Sequence, residues 1–193
     1  MPAHSPEDYW LPRGSIEYTT ENEAYISLLC GHLFAMIQKL RKIPADRWDW
    51  TPDQAAPTAR ILASHTWQWL VCDRQHIGEP DVFAHADIPP VPTDPDAMCD
   101  LLLTETDNWY DLLLAMTPNQ FDATRKQFGE TEMNVRAFVC HMIQNSIYKH
   151  GQLATLFFAL GLDGTEPYDA PFPNPIYAEI RAAREAGTDA AAG

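Results

Sequence analysis

The segment 141–153 (HMIQNSIYKHGQL) holds the densest set of side chains that could bind a metal ion or transfer a proton. His141, Asn145 and Lys149 are spaced four residues apart, which places them along one side of a predicted helix. His150 points to nearly the opposite side from His141, because nine residues make about two and a half helical turns. These two histidines cannot bind one ion from a straight helix, so a metal site would need ligands from several helices.

An earlier predicted helix adds two histidines, His65 and His76. They share a face, but eleven residues at about 1.5 Å each separate them by roughly 16 Å, too far for one ion. The sequence contains no G-x-G-x-x-G, P-loop, H-E-x-x-H or G-x-S-x-G pattern. Cys140 next to His141 is a weak candidate for a nucleophile and its base, because neighbours on a helix point about 100° apart.

Four amphipathic segments are predicted to be the helices that position these residues. Apolar spacing and cap signals place them at about 20–42, 58–77, 94–116 and 134–160. Thr20 and Asp94 are predicted N-caps, while Pro44, Gly78 and Gly161 are predicted stops. We therefore expect an all-α fold, a four-helix bundle with long connections.

The rest of the chain is predicted to be irregular. Residues 1–19 form an N-terminal arm, 20–162 form the bundle, and 163–193 form a proline-rich tail with a short helix at about 175–185. The connection 119–133 is predicted to be briefly extended at Gln127 and Phe128 before Gly129 turns the chain. No segment alternates between apolar and polar residues for long enough to predict a sheet.

Composition limits the classes of partner. The net charge is -14, and no Lys or Arg occurs between Arg74 and Arg125, where ten acidic residues fall. Such a surface repels phosphates, so we expect no nucleic-acid partner and no membrane partner. No apolar run is long enough for a transmembrane helix, and no signal peptide is recognisable, so we expect a cytoplasmic protein. The four cysteines are predicted to be buried free thiols.

Two segments resemble the DinB/YfiT-like family. The stretch DRWDWTPDQAAPTARILASHTWQWL is similar to the family's entry into its second helix, which follows a W-x-P loop and carries a histidine near its middle. The stretch MNVRAFVCHMIQNSIYKHGQLATLFFALGL is similar to its last bundle helix, with Gly151, Gln152 and Gly161 matching the family pattern. The resemblance covers about residues 20–162.

The resemblance implies a divalent metal, Zn, Ni or Mn, held by one histidine from the second helix and two from the last. Those positions fall on His65, Asn145 and Lys149, so only His65 matches. Asn is a poor transition-metal ligand beside imidazole, and a protonated Lys competes with the ion. His150 stands where the family often has Arg, and His141 matches a histidine that some members carry one turn earlier.

Three hypotheses follow. The first is a bundle without the standard metal that keeps a polar cleft for a small molecule between the second and fourth predicted helices, around His65, His141, Asn145 and Lys149. The second is a metal-dependent enzyme, similar to the family's thiol-dependent transferases and isomerases, with a rearranged ligand set such as His65, His141 and a carboxylate. The third is a structural or interaction protein that forms a homodimer.

The single residues also carry expectations. His65 is predicted to be a hydrogen-bonded core histidine, and Lys149 to pair with a carboxylate of the third helix in place of a metal's charge. Asn145 would then bridge His65 and Lys149. Five tryptophans are assigned to packing: Trp48, Trp50, Trp67, Trp69 and Trp109.

Overall fold

A computed structural model describes residues 20–78, 90–126, 132–162, 181–182 and 184–187. Its helices, in chain order, are α1 (Glu21–Lys42), α2 (Ala59–Gly78), α3 (Pro95–Ala115), the short α4 (Pro118–Asp122) and α5 (Val135–Ala159). The predicted all-α class is confirmed, and the ends of the four long helices lie within one residue of their predicted positions.

Side-chain caps explain where the helices begin. Thr20, Asp94 and Asn134 each accept a hydrogen bond from the backbone N–H three residues later, at 3.2, 2.9 and 2.8 Å respectively. The α5 helix ends before Gly161, whose φ of 69° lies in the left-handed region that favours glycine. Local chemistry therefore sets both the start and the stop of the helix that carries most of the candidate residues.

The four long helices form a bundle in which neighbours along the chain are not always neighbours in space. Both α1 and α2 pack against α3 and against α5, so α1 and α2 lie diagonally across the bundle. Fully buried side chains, such as Leu33, Leu70, Trp109 and Phe138, fill the centre. The contact between α2 and α5 is the one that assembles the candidate site. Within the described residues, no helix is long and apolar enough to cross a membrane.

The connection between α3 and α5 departs from the prediction. It contains α4 and a hairpin of β1 (Thr124–Lys126) and β2 (Glu132–Asn134), paired antiparallel with Arg125 opposite Met133. The expectation of no sheet is wrong here, because three-residue strands are too short to show an alternating pattern. The signal for α4 was present, since Gln120 Oε1 accepts from the Thr117 N–H at 2.8 Å, as in a capping box. Residues 127–129 lie outside the described residues.

The described C-terminal residues 181–182 and 184–187, called segment 181–187 below, dock on α3. The Arg181 guanidinium contacts both carboxylate oxygens of Asp111, at 2.5 and 3.1 Å, and lies over the Tyr110 ring. Arg184 Nη2 lies 2.5 Å from Asp107 Oδ2. Part of the acidic surface is thus neutralised within the chain. Residues 181–182 and 184–185 are helical, whereas the rest of the tail helix predicted at about 175–185 and the arm 1–19 lie outside the described residues.

The cysteines follow the prediction with one exception. Cys30, Cys72 and Cys99 are buried, and all four cysteines are free thiols. Cys140 is exposed, so its predicted burial is wrong. It directly follows Val139, which is fully buried, and a step of about 100° along α5 carries the next side chain out of the core.

Candidate functional site

Two rows of polar and aromatic side chains face each other across the α2–α5 contact. Each row has a four-residue spacing, which aligns its members along one helix face. The rows consist of His65, Trp69 and Asp73 on α2, and of His141, Asn145 and Lys149 on α5. They run in opposite directions, because the first member of one row contacts the last member of the other at both ends.

At one end, Lys149 Nζ lies 2.9 Å from His65 Nδ1. Lys149 is buried, whereas His65 is exposed, so the predicted core position of His65 is wrong. The other ring nitrogen of His65, Nε2, accepts a hydrogen bond of 2.7 Å from Trp69 Nε1. The predicted carboxylate partner of Lys149 is replaced by imidazole, and Glu105 of α3 instead binds Arg74 through two contacts.

The contacts of His65 determine where its proton lies. An indole N–H can only donate, so Nε2 of His65 must hold a lone pair. In a neutral imidazole the remaining proton is then on Nδ1, and this N–H donates to Lys149 Nζ, which can accept only as an uncharged amine. Burial lowers the pKa of Lys149, and burial followed by the Lys149 charge lowers the pKa of His65. Burial thus disfavours the charged form of each group.

Asn145 lies between the two ends of its row, about 6 Å along α5 from Lys149. Its Oδ1 atom is buried and has no hydrogen-bond partner among the described residues. The predicted bridge from Asn145 to His65 and Lys149 is therefore not formed, because those two residues contact each other directly. A buried acceptor without a partner costs about 1–3 kcal/mol, so a donor group that reached Oδ1 would be stabilised there.

At the other end, His141 Nδ1 lies 2.8 Å from Asp73 Oδ2. The Asp73 side chain is fully buried, and that burial raises the pKa of its carboxyl to about 6, against the opposing hydrogen bond from His141. The His141 ring also meets Trp69 edge to face, with centroids 5.5 Å apart. Trp69 therefore contacts a histidine at each end of the site, since its ring centroid lies 6.1 Å from that of His65.

Two other residues of α5 lie outside this site. His150 packs beside His32 of α1, with ring centroids 6.0 Å apart, on the side opposite to His141 as predicted. Burial is the main cause that lowers the pKa of His150 to about 4. Cys140 neighbours Tyr25 of α1 rather than the rows. The structure thus separates the Cys140 thiol from His141, which faces α2.

Two solved structures share this architecture. The DinB-like protein YjoA from Bacillus subtilis is 19% identical, and the match covers 77% of this chain and 96% of YjoA with a TM-score of 0.61. The chain has the DinB/YfiT-like fold. YfiT from Bacillus subtilis, described as a probable metal-dependent hydrolase with an unusual four-helix bundle topology, is 16% identical over 80% of this chain and 95% of YfiT, with a TM-score of 0.59. No protein-family model and no curated protein matches the sequence.

In this DinB/YfiT-like bundle, the residues at the expected ligand positions do not fit a transition-metal ion. Lys149 Nζ already contacts the His65 nitrogen that faces α5, and Asn145 offers only an amide. His141 is bound to Asp73, whose place on α2 is about 12 Å from that of His65. Among the described residues, no group of three His, Cys, Asp or Glu side chains is placed to hold an ion.

Two residues of the site were not predicted. Trp69 was assigned to packing, although its indole is only partly buried and contacts both histidines. Asp73 was not singled out, because a lone Asp in an amphipathic helix usually faces solvent. The sequence did hold a signal: positions 65, 69 and 73 repeat the same four-residue spacing as 141, 145 and 149.

Proposed function

We propose that this chain is a metal-independent small-molecule-binding protein whose cleft lies between α2 and α5. One observation carries the proposal. The amine of Lys149 lies 2.9 Å from His65 Nδ1, where the resemblance would put a metal ion against the imidazole. The Lys149 amine thus takes the place that a metal ion would have next to the His65 imidazole.

The polarity of the cleft supports a ligand that donates a hydrogen bond. Asn145 Oδ1 is a buried acceptor without a partner in the described part of the chain. Trp69, the middle residue of the facing row, offers an aromatic surface between His65 and His141, and His141 is only partly buried. The ligand we expect therefore has an N–H or O–H group next to a flat or apolar part.

Metal binding is tested with the untagged wild-type protein and with a variant that has histidine at both of the expected ligand positions on α5. Zn²⁺, Ni²⁺ and Mn²⁺ are titrated while bound metal and the melting temperature are measured. We expect no specific binding to the wild type, whereas the double variant Asn145→His/Lys149→His should bind about one equivalent and gain stability. Adding His65→Ala to the double variant is the matched control, and it should abolish that gain.

The opposite result would favour the hypothesis of a metal-dependent enzyme with rearranged ligands. About one equivalent bound by the wild type and lost in His65→Ala would overturn the metal-free proposal. The description of YfiT as a probable metal-dependent hydrolase motivates the experiment. If metal were found, thiol-transfer and hydrolytic activities would be assayed next.

The ligand question is tested by a thermal-shift screen of small hydroxyl- and amide-containing compounds. A true ligand should raise the melting temperature of the wild type and lose that effect in Asn145→Leu, which removes the acceptor at similar volume. Gln144→Leu, at the exposed neighbouring position on α5, is the matched control and should retain the shift. A shift that survives in Asn145→Leu would place the ligand elsewhere.

The proposed homodimer is a separate question. Light scattering that gives twice 21.8 kDa would support it, and a monomer mass would rule it out.

A further inference from the structure

We infer that Lys149 is a nucleophilic amine that condenses with small aldehydes or ketones to form an imine in the cleft. The inference rests on the proposed metal-free cleft, because an ion bound to His65 would displace the amine. The contacts that carry it are those of Lys149, His65, Trp69 and Asn145.

The hydrogen-bond directions make the Lys149 nitrogen an acceptor. Trp69 Nε1–H donates to His65 Nε2 at 2.7 Å, which leaves the proton of the neutral ring on Nδ1. That N–H points at Lys149 Nζ, 2.9 Å away, so the amine presents its lone pair. No carboxylate forms a salt bridge with Lys149 in the described part of the chain, where its side-chain contact is with the His65 imidazole.

An uncharged lysine is the form that attacks carbonyl carbon. The Nζ lone pair leaves its hydrogen bond with His65 Nδ1–H and forms a bond to the carbonyl carbon. The C=O π electrons move to oxygen, and one proton moves from nitrogen to that oxygen to give a carbinolamine. The nitrogen lone pair then forms the C=N bond, and the hydroxyl group leaves with the second proton of the amine as water. Neither an oxidant nor a reductant is consumed, and water reverses the reaction.

Asn145 favours a carbonyl compound over other electrophiles. Addition converts the carbonyl oxygen, which only accepts hydrogen bonds, into a hydroxyl that can donate one. The Asn145 Oδ1 atom, one turn along α5 from Lys149, is a buried acceptor that lacks a partner among the described residues. The site thus offers an acceptor for a group that appears only after the amine has added.

The chain supplies its own reference amine for the test. Its four lysines are Lys39, Lys42, Lys126 and Lys149, and Lys42 is exposed on the last turn of α1. The folded protein is treated at neutral pH with limiting propanal and cyanoborohydride, which reduces an imine to a stable secondary amine. Peptide mass mapping then gives the alkylation rate at each lysine. We expect Lys149 to react at least about tenfold faster than Lys42, because the contacts of His65 hold its amine uncharged, whereas an ordinary lysine is almost fully protonated at neutral pH.

A positioning variant separates this chemistry from simple accessibility. Trp69→Phe keeps an aromatic ring but removes the indole N–H, so His65 can hold its proton on Nε2 and accept from a protonated Lys149 at Nδ1. Alkylation of Lys149 should then fall toward the Lys42 rate, while the Lys42 rate stays unchanged. A wild-type Lys149 that reacts no faster than Lys42, or a rate unaffected by Trp69→Phe, would overturn the inference. If Lys149 shows no enhanced alkylation and the same preparation also binds no metal, the imine inference fails. The proposed metal-independent binding function then still stands.

Discussion

Lys149 Nζ and His65 Nδ1 lie 2.9 Å apart, and the Trp69 indole on the other side of the imidazole determines which of them holds the proton between them. A group that can only donate fixes the tautomer of the ring, and the ring in turn fixes the charge of the lysine. One aromatic N–H thus controls the charge of an amine that it does not contact.

Replacing Lys149 by Met tests the cost of burying this amine. Met has a similar length and no charge, so we expect a free energy of unfolding equal to wild type or about 1 kcal/mol higher at pH 7. Because the folded-state pKa of Lys149 is lowered, the unfolded chain holds more protons above neutral pH, and wild-type stability rises with pH there. The advantage of the Met variant should therefore shrink toward pH 10. Urea unfolding from pH 7 to 10 measures it.

The control for that variant is Lys42→Met, at an exposed position of the last turn of α1. It should not show an advantage that declines with pH. A Lys149→Met variant that is strongly destabilised at every pH would mean that the charged amine stabilises the fold.

Asp73 should make stability fall as pH rises through the mildly acidic range. The folded-state pKa of its buried carboxyl is about 6, so between about pH 4 and 6 the folded protein holds a proton that the unfolded chain has released. Asp73→Asn removes this effect. Its free energy of unfolding relative to wild type should therefore increase by up to about 3 kcal/mol between pH 4 and 6. Parallel curves for the two proteins in denaturant titrations would show that the carboxyl is ionised throughout.

His150 should act in the opposite direction over nearly the same range. Its folded-state pKa of about 4 means that the unfolded chain binds the proton first, so wild-type stability rises from about pH 4 to 6.5. His150→Leu removes that dependence, and its advantage over wild type should be largest near pH 4. The advantage should decline by up to about 3 kcal/mol toward pH 7. The two effects largely cancel in the wild type, so single variants are needed to see either of them. If His150→Leu kept a constant offset from wild type across this range, buried His150 would not resist protonation.

The pair Arg74 and Glu105 joins α2 to α3 at the edge of the core. The Glu105 side chain is 5% exposed, and it also accepts from Asn108 Nδ2 at 3.0 Å. Arg74→Met leaves a buried carboxylate without its cation and should cost about 3 kcal/mol. Adding Glu105→Gln should recover most of that loss, because the amide is neutral and can still bind Asn108.

A double-mutant cycle in urea gives the coupling between the two residues. The exposed pair Arg41 and Asp100 is the matched control, where Arg41→Met should cost no more than about 1 kcal/mol. Additive effects of the Arg74 and Glu105 substitutions would contradict the predicted coupling.

Helix limits could be predicted because their causes are local. Thr20 and Asp94 cap helices through side-chain oxygens that reach only three residues ahead, and Gly161 stops α5 through its own φ. The DinB/YfiT-like fold could be predicted because the apolar spacing indicates four helices and a few motif residues resemble those of the family. The hairpin was missed because three-residue strands are too short to show an alternating apolar pattern. The short helix α4 was also missed, although the capping pair Thr117 and Gln120 could have predicted its start.

The partners within the site could not be predicted, because they depend on how α2 is rotated against α5. The sequence placed His141, Asn145 and Lys149 on one face, yet it could not show that Lys149 would meet His65 rather than a carboxylate of α3. That alternative is excluded by the packing of the bundle, because α3 packs against α1 and α2 rather than against α5. Trp69 and Asp73 could not be predicted as site residues either, because they contact His141 only through the way α2 packs against α5.

The docking of segment 181–187 on α3 has a consequence for the order in which the protein acquires its structure. Arg181 meets Asp111 across 70 residues of chain, and Arg184 meets Asp107 across 77. Such contacts must wait for a large loop to close, whereas the caps of α3 form within a single turn. Early in refolding, α3 therefore lacks the two arginines that neutralise Asp107 and Asp111. Amide protection in segment 181–187 should be among the slowest to develop.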